Sequence, residues 1–378
     1  MSIIANYQTH IENLCSWVYT LFYQILEGDI MATIKDIADK LGIAISTVSK
    51  GLNGACDISP QMRQLVLDTA VEMGYSPKKL REPTTRKVCV FIENMDYTNI
   101  EQFGYEIIIG FKLAAAKRHW DVSVIPANLD IQTIEHYDTF MLKHGYSGAF
   151  LLGFTLRETW VQQLGKTSVP TVLFDNYIEE NQHIGYVGTD CFEGIEQAVQ
   201  HLCNLGHQNI AFLNGSKNSI VSETRNKAFI YGLHKNRLQL KENLIAYGNF
   251  TPSCAKDHVL NFIKEGATAI MCASDMIAVG VIRELHNLGF RVPEDISVTG
   301  FDDLAIASKF QPSISTIRQD RKDIGKSAFL LLDGLIQNVP TSKLFLRAKF
   351  IPRASTASCQ ERTGIILANE LLQVSESI

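Results

Sequence analysis

Between residues 33 and 74 apolar positions recur at helical spacing, whereas from residue 88 onward they gather into short unbroken runs separated by amphipathic stretches. In TIKDIADKLG, Ile34, Ile37, Ala38 and Leu41 stand at i, i+3, i+4 and i+7, which predicts one buried stripe on a short helix. Thr33 is placed to cap that helix, Asp36 can bond back from the third helical position, and Gly42 ends it. Residues 46–52 predict a second short helix with Val48 and Leu52 facing inward. Two helices joined by a tight glycine-containing turn form a helix-turn-helix unit. Ser59 as cap and Pro60 at the first helical position announce a third helix, whose inner face is Met62, Val66, Ala70 and Met73 and whose stop is Gly74.

Beyond this all-α region, VCVFI (88–92), VSVIP (122–126), GAFLL (148–152), TVLF (171–174), IAFL (210–213), AIMCA (269–273) and SVTGF (297–301) read as buried strands. Helical stretches such as 105–117, 194–205 and 277–288 lie between them. Buried strands alternating with helices predict doubly wound parallel sheets of the α/β class, which hold ligands beyond the carboxyl ends of their strands. Polar residues stand at those ends: Glu93 and Asn94, Asp175 and Asn176, Asn214, Ser274 and Asp275, Asp302 and Asp303. A crevice ringed by carboxylates, amides and hydroxyls suits a neutral polyhydroxy ligand. Asx residues at strand ends also simply make turns, so both readings stand for each residue.

The chain has 378 residues, room for two or three domains, and its 46% apolar and 20% charged residues exclude disordered and fibrous classes. A net charge of −5 excludes a chain that is basic overall. Residues 31–87, however, carry nine Lys/Arg against six Asp/Glu, so a local +3 sits beside −8 in the remainder. Local positivity beside an acidic body fits a nucleic-acid module. On the second helix Ser46 and Lys50 point away from Val48, with Ile45 near the start, where short polar and cationic side chains reach base edges in a major groove. Thr33, Thr47, Ser49, Asn53, Ser59 and Arg63 are donors around that rim, suited to phosphate oxygens.

Eight scattered cysteines without a CxxC pair read as free thiols of a reducing compartment. No run of 18 apolar residues suggests a membrane span, and residues 1–30 carry no Lys or Arg ahead of their apolar stretch, so secretion is not expected. GKT at 165–167 and GKS at 325–327 lack the earlier glycine of a phosphate loop, since Trp160 and Asp320 stand there. The set His201, Cys203 and His207 reads as packing and capping rather than zinc ligation. No catalytic constellation, metal site or cofactor motif is recognised.

The run TIKDIADKLGIAISTVSKGLNG…ISPQMRQLVLDTAVEMGYSP, residues 33–77, resembles the DNA-binding headpiece of the LacI/GalR transcriptional regulators. The resemblance continues in GHQNIAFL (206–213), ASDMIAVG (273–280), PEDISVTGFDD (293–303) and STIRQD (315–320), so that it covers about 33–357. It implies a two-lobed, periplasmic-binding-protein-like (type I) body that binds an effector between its lobes. Arg225 then corresponds to an effector-binding arginine and Asp302 to an aspartate that accepts ligand hydroxyls. Asp190 lies in the V-x-x-D element, Ser274 stands where asparagine is usual, and Glu93 ends the first strand. Phe103, Tyr105 and Phe301 either stack on a sugar face or fill the core, and Arg225 with Asp302 either binds ligand or forms a structural salt bridge.

Two departures from the family pattern stand out. Ala44 replaces the usual capping serine, and residues 78–87, with Pro83, are short for the family's minor-groove hinge helix, leaving Leu80 as a candidate wedge beside the plain reading of a cationic linker. The expected organisation is an extension over 1–30, either upstream of a true start at Met31 or an amphipathic add-on. A helix-turn-helix domain over 31–77, a linker over 78–87, a two-lobed effector and dimerisation domain over 88–357 and a tail over 358–378 follow. The expected function is a cytoplasmic, homodimeric repressor, with a tetramer left open, that binds a double-stranded DNA operator under control of a small-molecule effector, a sugar. The alternative is a sugar-binding protein of an uptake system, which would need an export signal and has no use for residues 33–77.

Overall fold

In the computed structural model, residues 32–55, 57–75, 86–217 and 219–359 are described, in two compact units, one helical and one α/β. The extension 1–30, Leu80 with most of the expected linker, and the tail from 360 lie outside the described residues.

In the helical unit, α1 (Ile34–Leu41), α2 (Ile45–Asn53) and α3 (Pro60–Glu72) stand where the periodicity puts them. The Asp36 amide donates to the Thr33 hydroxyl at 3.3 Å and the Thr33 amide to the Asp36 carboxylate at 2.7 Å, completing a capping box. Gly42 and Gly54 end the first two helices at φ 65° and 67°, a left-handed conformation that a Cβ opposes. Ile37, Ala38, Val48, Val66 and Ala70 close the core. Gly51 permits the close approach of α2 to α3, because a Cβ there would lie 2.9 Å from Val66 Cγ1. Ala44, at the N-cap of α2, supplies no side-chain hydrogen bond.

In the α/β unit, β1 (Lys87–Ile92), β2 (Asp121–Pro126), β3 (Ala149–Leu152), β4 (Thr171–Phe174) and β5 (Ile184–Asp190) build one sheet. β6 (Ile210–Asn214), β7 (Ile245–Tyr247), β8 (Ala269–Cys272), β9 (Ser297–Asp302) and β10 (Ser315–Arg318) build a second. The chain then returns to place β11 (Lys343–Arg347) beside β5 and β12 (Lys349–Ile351) beside β10. The orders are β11-β5-β4-β3-β1-β2 and β12-β10-β9-β8-β6-β7, and only the β10–β12 pairing is antiparallel. Register aligns apolar positions across strands: Val90 pairs with Val124 and Phe150, and Ile270 with Ala211 and Val298.

Helices α4 (Phe103–Ala116) and α8 (Arg321–Ile336) cover the first sheet, their backbones meeting where a Cβ on Gly325 would clash with the Ile107 carbonyl. Helices α5 (Cys191–Asn204), α6 (Ile220–Lys235) and α7 (Asp275–Asn287) flank the second. Three crossings join the lobes: β5 to α5, β10 to α8, and β11 to β12.

Every expected strand is present, and β5, β7 and β10 to β12 are additional. β5 carries Gly185 and Gly188 inside its run, and β11 alternates at an edge, so neither shows a continuous apolar signature. Cys191, Cys254 and Cys272 are buried free thiols, and no helix among the described residues is long and apolar enough to cross a membrane.

Replacing Ala44 with Ser is expected to stabilise the helical unit by about 1 kcal/mol by supplying the missing acceptor. Calorimetry of its thermal transition checks this; an unmoved midpoint would mean the first-turn amides of α2 already have acceptors.

Candidate functional site

On the helical unit the expected reading face is solvent-facing. Ile45 is 52% exposed, Ser46, Lys50 and Asn53 are exposed, and Thr47 and Ser49 are half-buried around the inward Val48. Asn53 donates to the Ser49 carbonyl at 2.8 Å, which locks its amide onto its own helix. Thr33 and Ser59 are exposed caps; the Thr33 hydroxyl also donates to Asp36 at 2.7 Å, so its proton is committed within the unit. Arg63 is half-buried, its guanidinium packed close to Gly54. The Lys50 ammonium forms an ion pair with the Asp57 carboxylate, a partner the sequence reading did not single out.

In the α/β unit the strand ends separate into two kinds. Several of their polar groups are consumed by the fold itself. The Asn214 amide donates to the Ser222 carbonyl at 2.8 Å while its oxygen accepts from the Gly215 amide at 2.8 Å. Asp275, fully buried, accepts from the Leu304 amide at 2.7 Å and the Thr316 hydroxyl at 2.5 Å. Asp303 pairs with Arg318 and Arg353, both at 2.5 Å. Ser274 accepts from the Ile277 amide at 3.2 Å as the cap of α7, and Asp190 accepts from Phe192 at 3.0 Å as the cap of α5.

The remaining groups converge. Arg225, on α6 and 6% exposed, donates to the Ala273 carbonyl at 2.5 Å, lies 3.9 Å from Asp302 and stacks 3.8 Å from the Phe301 ring centre. Asp302 accepts from Gln319 at 2.6 Å, and Gln319 in turn accepts from the Thr189 hydroxyl at 2.8 Å, so two of the chain crossings meet at this carboxylate. Arg321 donates to the Asp302 carbonyl at 2.8 Å and to Glu106 at 2.5 Å, while its Nε is buried without a partner. Asp302 sits at φ 109° and Asp175 at φ 57°, conformations that ordinary side chains rarely adopt and that gather at functional sites.

Burial raises the Asp175 carboxyl to about 7; Arg225 pulls it down and Asp302 pushes it up. Burial also raises Asp302, with Arg225 opposing. Cys191, at the start of α5, is pushed up to about 11 by burial, with Arg225 opposing. The Glu93 carboxyl is raised by burial and then by Glu158.

Of the expected effector residues, then, Arg225 and Asp302 come together, with Ser274 next to the carbonyl that Arg225 grips. Asp190 is exposed and Glu93 is half-buried beside Glu158. Phe301 belongs to the core at 2% exposure, its face taken by Arg225, so it offers no open ring to a sugar. Asp175, Gln319, Arg321 and Glu106 join the cluster without having been singled out as binding residues. Asp175 is one of the polar strand ends, and Gln319 lies inside STIRQD; the reach of Arg321 to Glu106 spans 215 positions and leaves no local trace. His207 bonds to Thr268 at 3.0 Å and Ser297 at 2.9 Å, a packing role, and no metal-holding cluster occurs among the described residues.

A family profile described as "Bacterial regulatory proteins, lacI family" matches residues 33–78, and one described as "Periplasmic binding protein-like domain" matches residues 199–356. The HTH-type transcriptional repressor PurR of Pasteurella multocida is 25% identical over 309 residues, covering 80% of this chain and 91% of that protein. Catabolite control protein A of Priestia megaterium is 29% identical over 307 residues, covering 79% and 91%. Among solved structures, a CelR–cellobiose complex matches with a TM-score of 0.63 at 24% identity, covering 86% of this chain and 99% of that one. The Lac repressor dimer bound to operator and the anti-inducer ONPF matches with a TM-score of 0.60 at 22% identity, again covering 86% and 99%. These relatives are transcriptional regulators rather than enzymes, and the chain joins a region matching the lacI-family profile to a periplasmic-binding-protein-like domain, the organisation of a DNA-binding regulator with an effector domain.

Proposed function

We propose that this regulator is a cytoplasmic, homodimeric repressor whose effector is a sugar bound at the Arg225–Asp302 cluster. The observation that carries the effector reading is Arg225, buried 3.9 Å from the Asp302 carboxylate at a strand end, with the Asp175 carboxyl within the electrostatic reach of both. A sugar hydroxyl both donates and accepts, so one polyol can engage the carboxylates and the guanidinium together. The CelR structure, of the same fold, holds cellobiose. On the helical unit, Ser46 and Lys50 present a hydroxyl and an ammonium for base edges, and Thr47, Ser49, Ser59 and Arg63 flank them for phosphate contacts. Half-site spacing on a pseudo-palindromic operator is fixed geometrically, so a change of lobe angle that alters headpiece spacing couples effector and operator binding reciprocally.

Lys50→Ala is expected to weaken operator binding by about 1–3 kcal/mol and to relax base preference, as read by gel-shift titration at fixed salt. Arg225→Ala and Asp302→Ala are expected to keep operator affinity while losing the thermal shift that mono- or disaccharides produce in the native chain. A normal sugar response in both would place the effector elsewhere.

Asp175 also predicts a pH dependence. Its folded pKa of about 7 lies above the ordinary carboxyl value of roughly 4, so between those limits the folded chain keeps a proton the unfolded chain has released. Stability of the body therefore falls as pH rises from about 4 to about 7, and Asp175→Asn flattens that fall. Denaturant midpoints across the window test this; identical slopes in the two proteins would place the proton on another group.

A further inference from the structure

The pairing of Lys50 with Asp57 has no place in the helical core. Both side chains are exposed, 50% and 62%, and neither caps a helix. What brings them together is the end of α2: Gly54 turns left-handed, and the Ala55 amide donates to the Lys50 carbonyl at 3.0 Å, so the chain folds back over the last turn. The Arg63 guanidinium packs close to Gly54 at the near end of this loop, and Ser59, capping α3, fixes the far end. Asp57 is thereby set beside the ammonium, open to solvent, and Lys50 itself stands one helical turn after the exposed Ser46.

A carboxylate on a DNA-reading surface is repelled by phosphates unless a base donor meets it. The major-groove edge of a G·C pair presents guanine N7 and O6, two acceptors, followed by the cytosine N4 donor. An ammonium next to a carboxylate is the complement of that row. An A·T edge runs acceptor, donor, acceptor, and gives the ammonium one neighbouring acceptor instead of two.

Building on the operator-binding reading above, we propose that Lys50 and Asp57 act as one unit that specifies a G·C pair in each half-site, Lys50 donating to guanine and Asp57 accepting from cytosine. The pair also keeps the ammonium from grasping phosphates indiscriminately. Asp57 is thus a specificity-determining residue, and its removal strengthens non-specific binding while erasing one letter of the operator.

The test is selection of binding sites from a randomised duplex library by the full chain and by Asp57→Ala, followed by titration of single-base variants at several salt concentrations. The native chain is expected to fix a G·C pair at one position per half-site. Asp57→Ala is expected to lose about tenfold or more of that discrimination with the other positions unchanged. Its non-specific binding is expected to gain salt dependence by roughly 0.9 in log–log slope, one extra phosphate contact. An unchanged preference at every position in Asp57→Ala overturns the proposal while leaving operator binding intact, as does a fixed A·T at the position sensitive to Lys50→Ala. A native chain without any base preference removes the operator-binding reading itself. Circular dichroism of the variant, unchanged for an exposed loop substitution, accompanies each titration.

Discussion

Two guanidiniums, Arg225 and Arg321, are almost wholly buried at the ends of two sheets, and neither can stay there without anionic or carbonyl partners. Asp302 answers both, its carboxylate to Arg225 and its backbone carbonyl to Arg321. The same residue is reached by Gln319 at one chain crossing, and through it by Thr189 at another. Its backbone is held at φ 109°, away from the ordinary strand region. Charge neutralisation therefore fixes where the strand ends meet and what chemistry is left over for a ligand: Asp175, raised to about 7, and the unpartnered Arg321 Nε.

The helical unit shows the opposite economy. Its core is small, Ile37, Ala38, Val48, Val66 and Ala70, and its geometry leans on glycines and caps more than on buried area. Gly42, Gly54 and Gly51 each permit something a side chain forbids, two left-handed exits and one close helix contact. The devices that act over three or four residues were legible in the sequence, the Thr33–Asp36 box, the Gly42 stop and the Ser59–Pro60 start, whereas the Gly51 contact, made with Val66 on another helix, was not.

The α/β unit was legible where strands are apolar throughout and opaque where they are not. β1, β4 and β8 announce themselves; β5, interrupted by two glycines, and the edge strand β11 do not. The family resemblance put Arg225 and Asp302 forward as effector residues, but the sequence gave no way to separate Asp175 from Asn214, Asp275 and Asp303, whose side chains are spent on turns and ion pairs. That sorting depends on partners tens to hundreds of positions away, such as Thr316 for Asp275 and Arg353 for Asp303.

The return of β11 to the first sheet and β12 to the second makes each lobe discontinuous along the chain. The first sheet also takes its covering helix α8 from residues 321–336, after the whole second lobe has been made. During synthesis the first lobe therefore waits, with the edge of β5 open and one face of its sheet uncovered, until residues 321–347 have been made. The lobe that is begun first is thus the one that cannot be finished until the other has been synthesised.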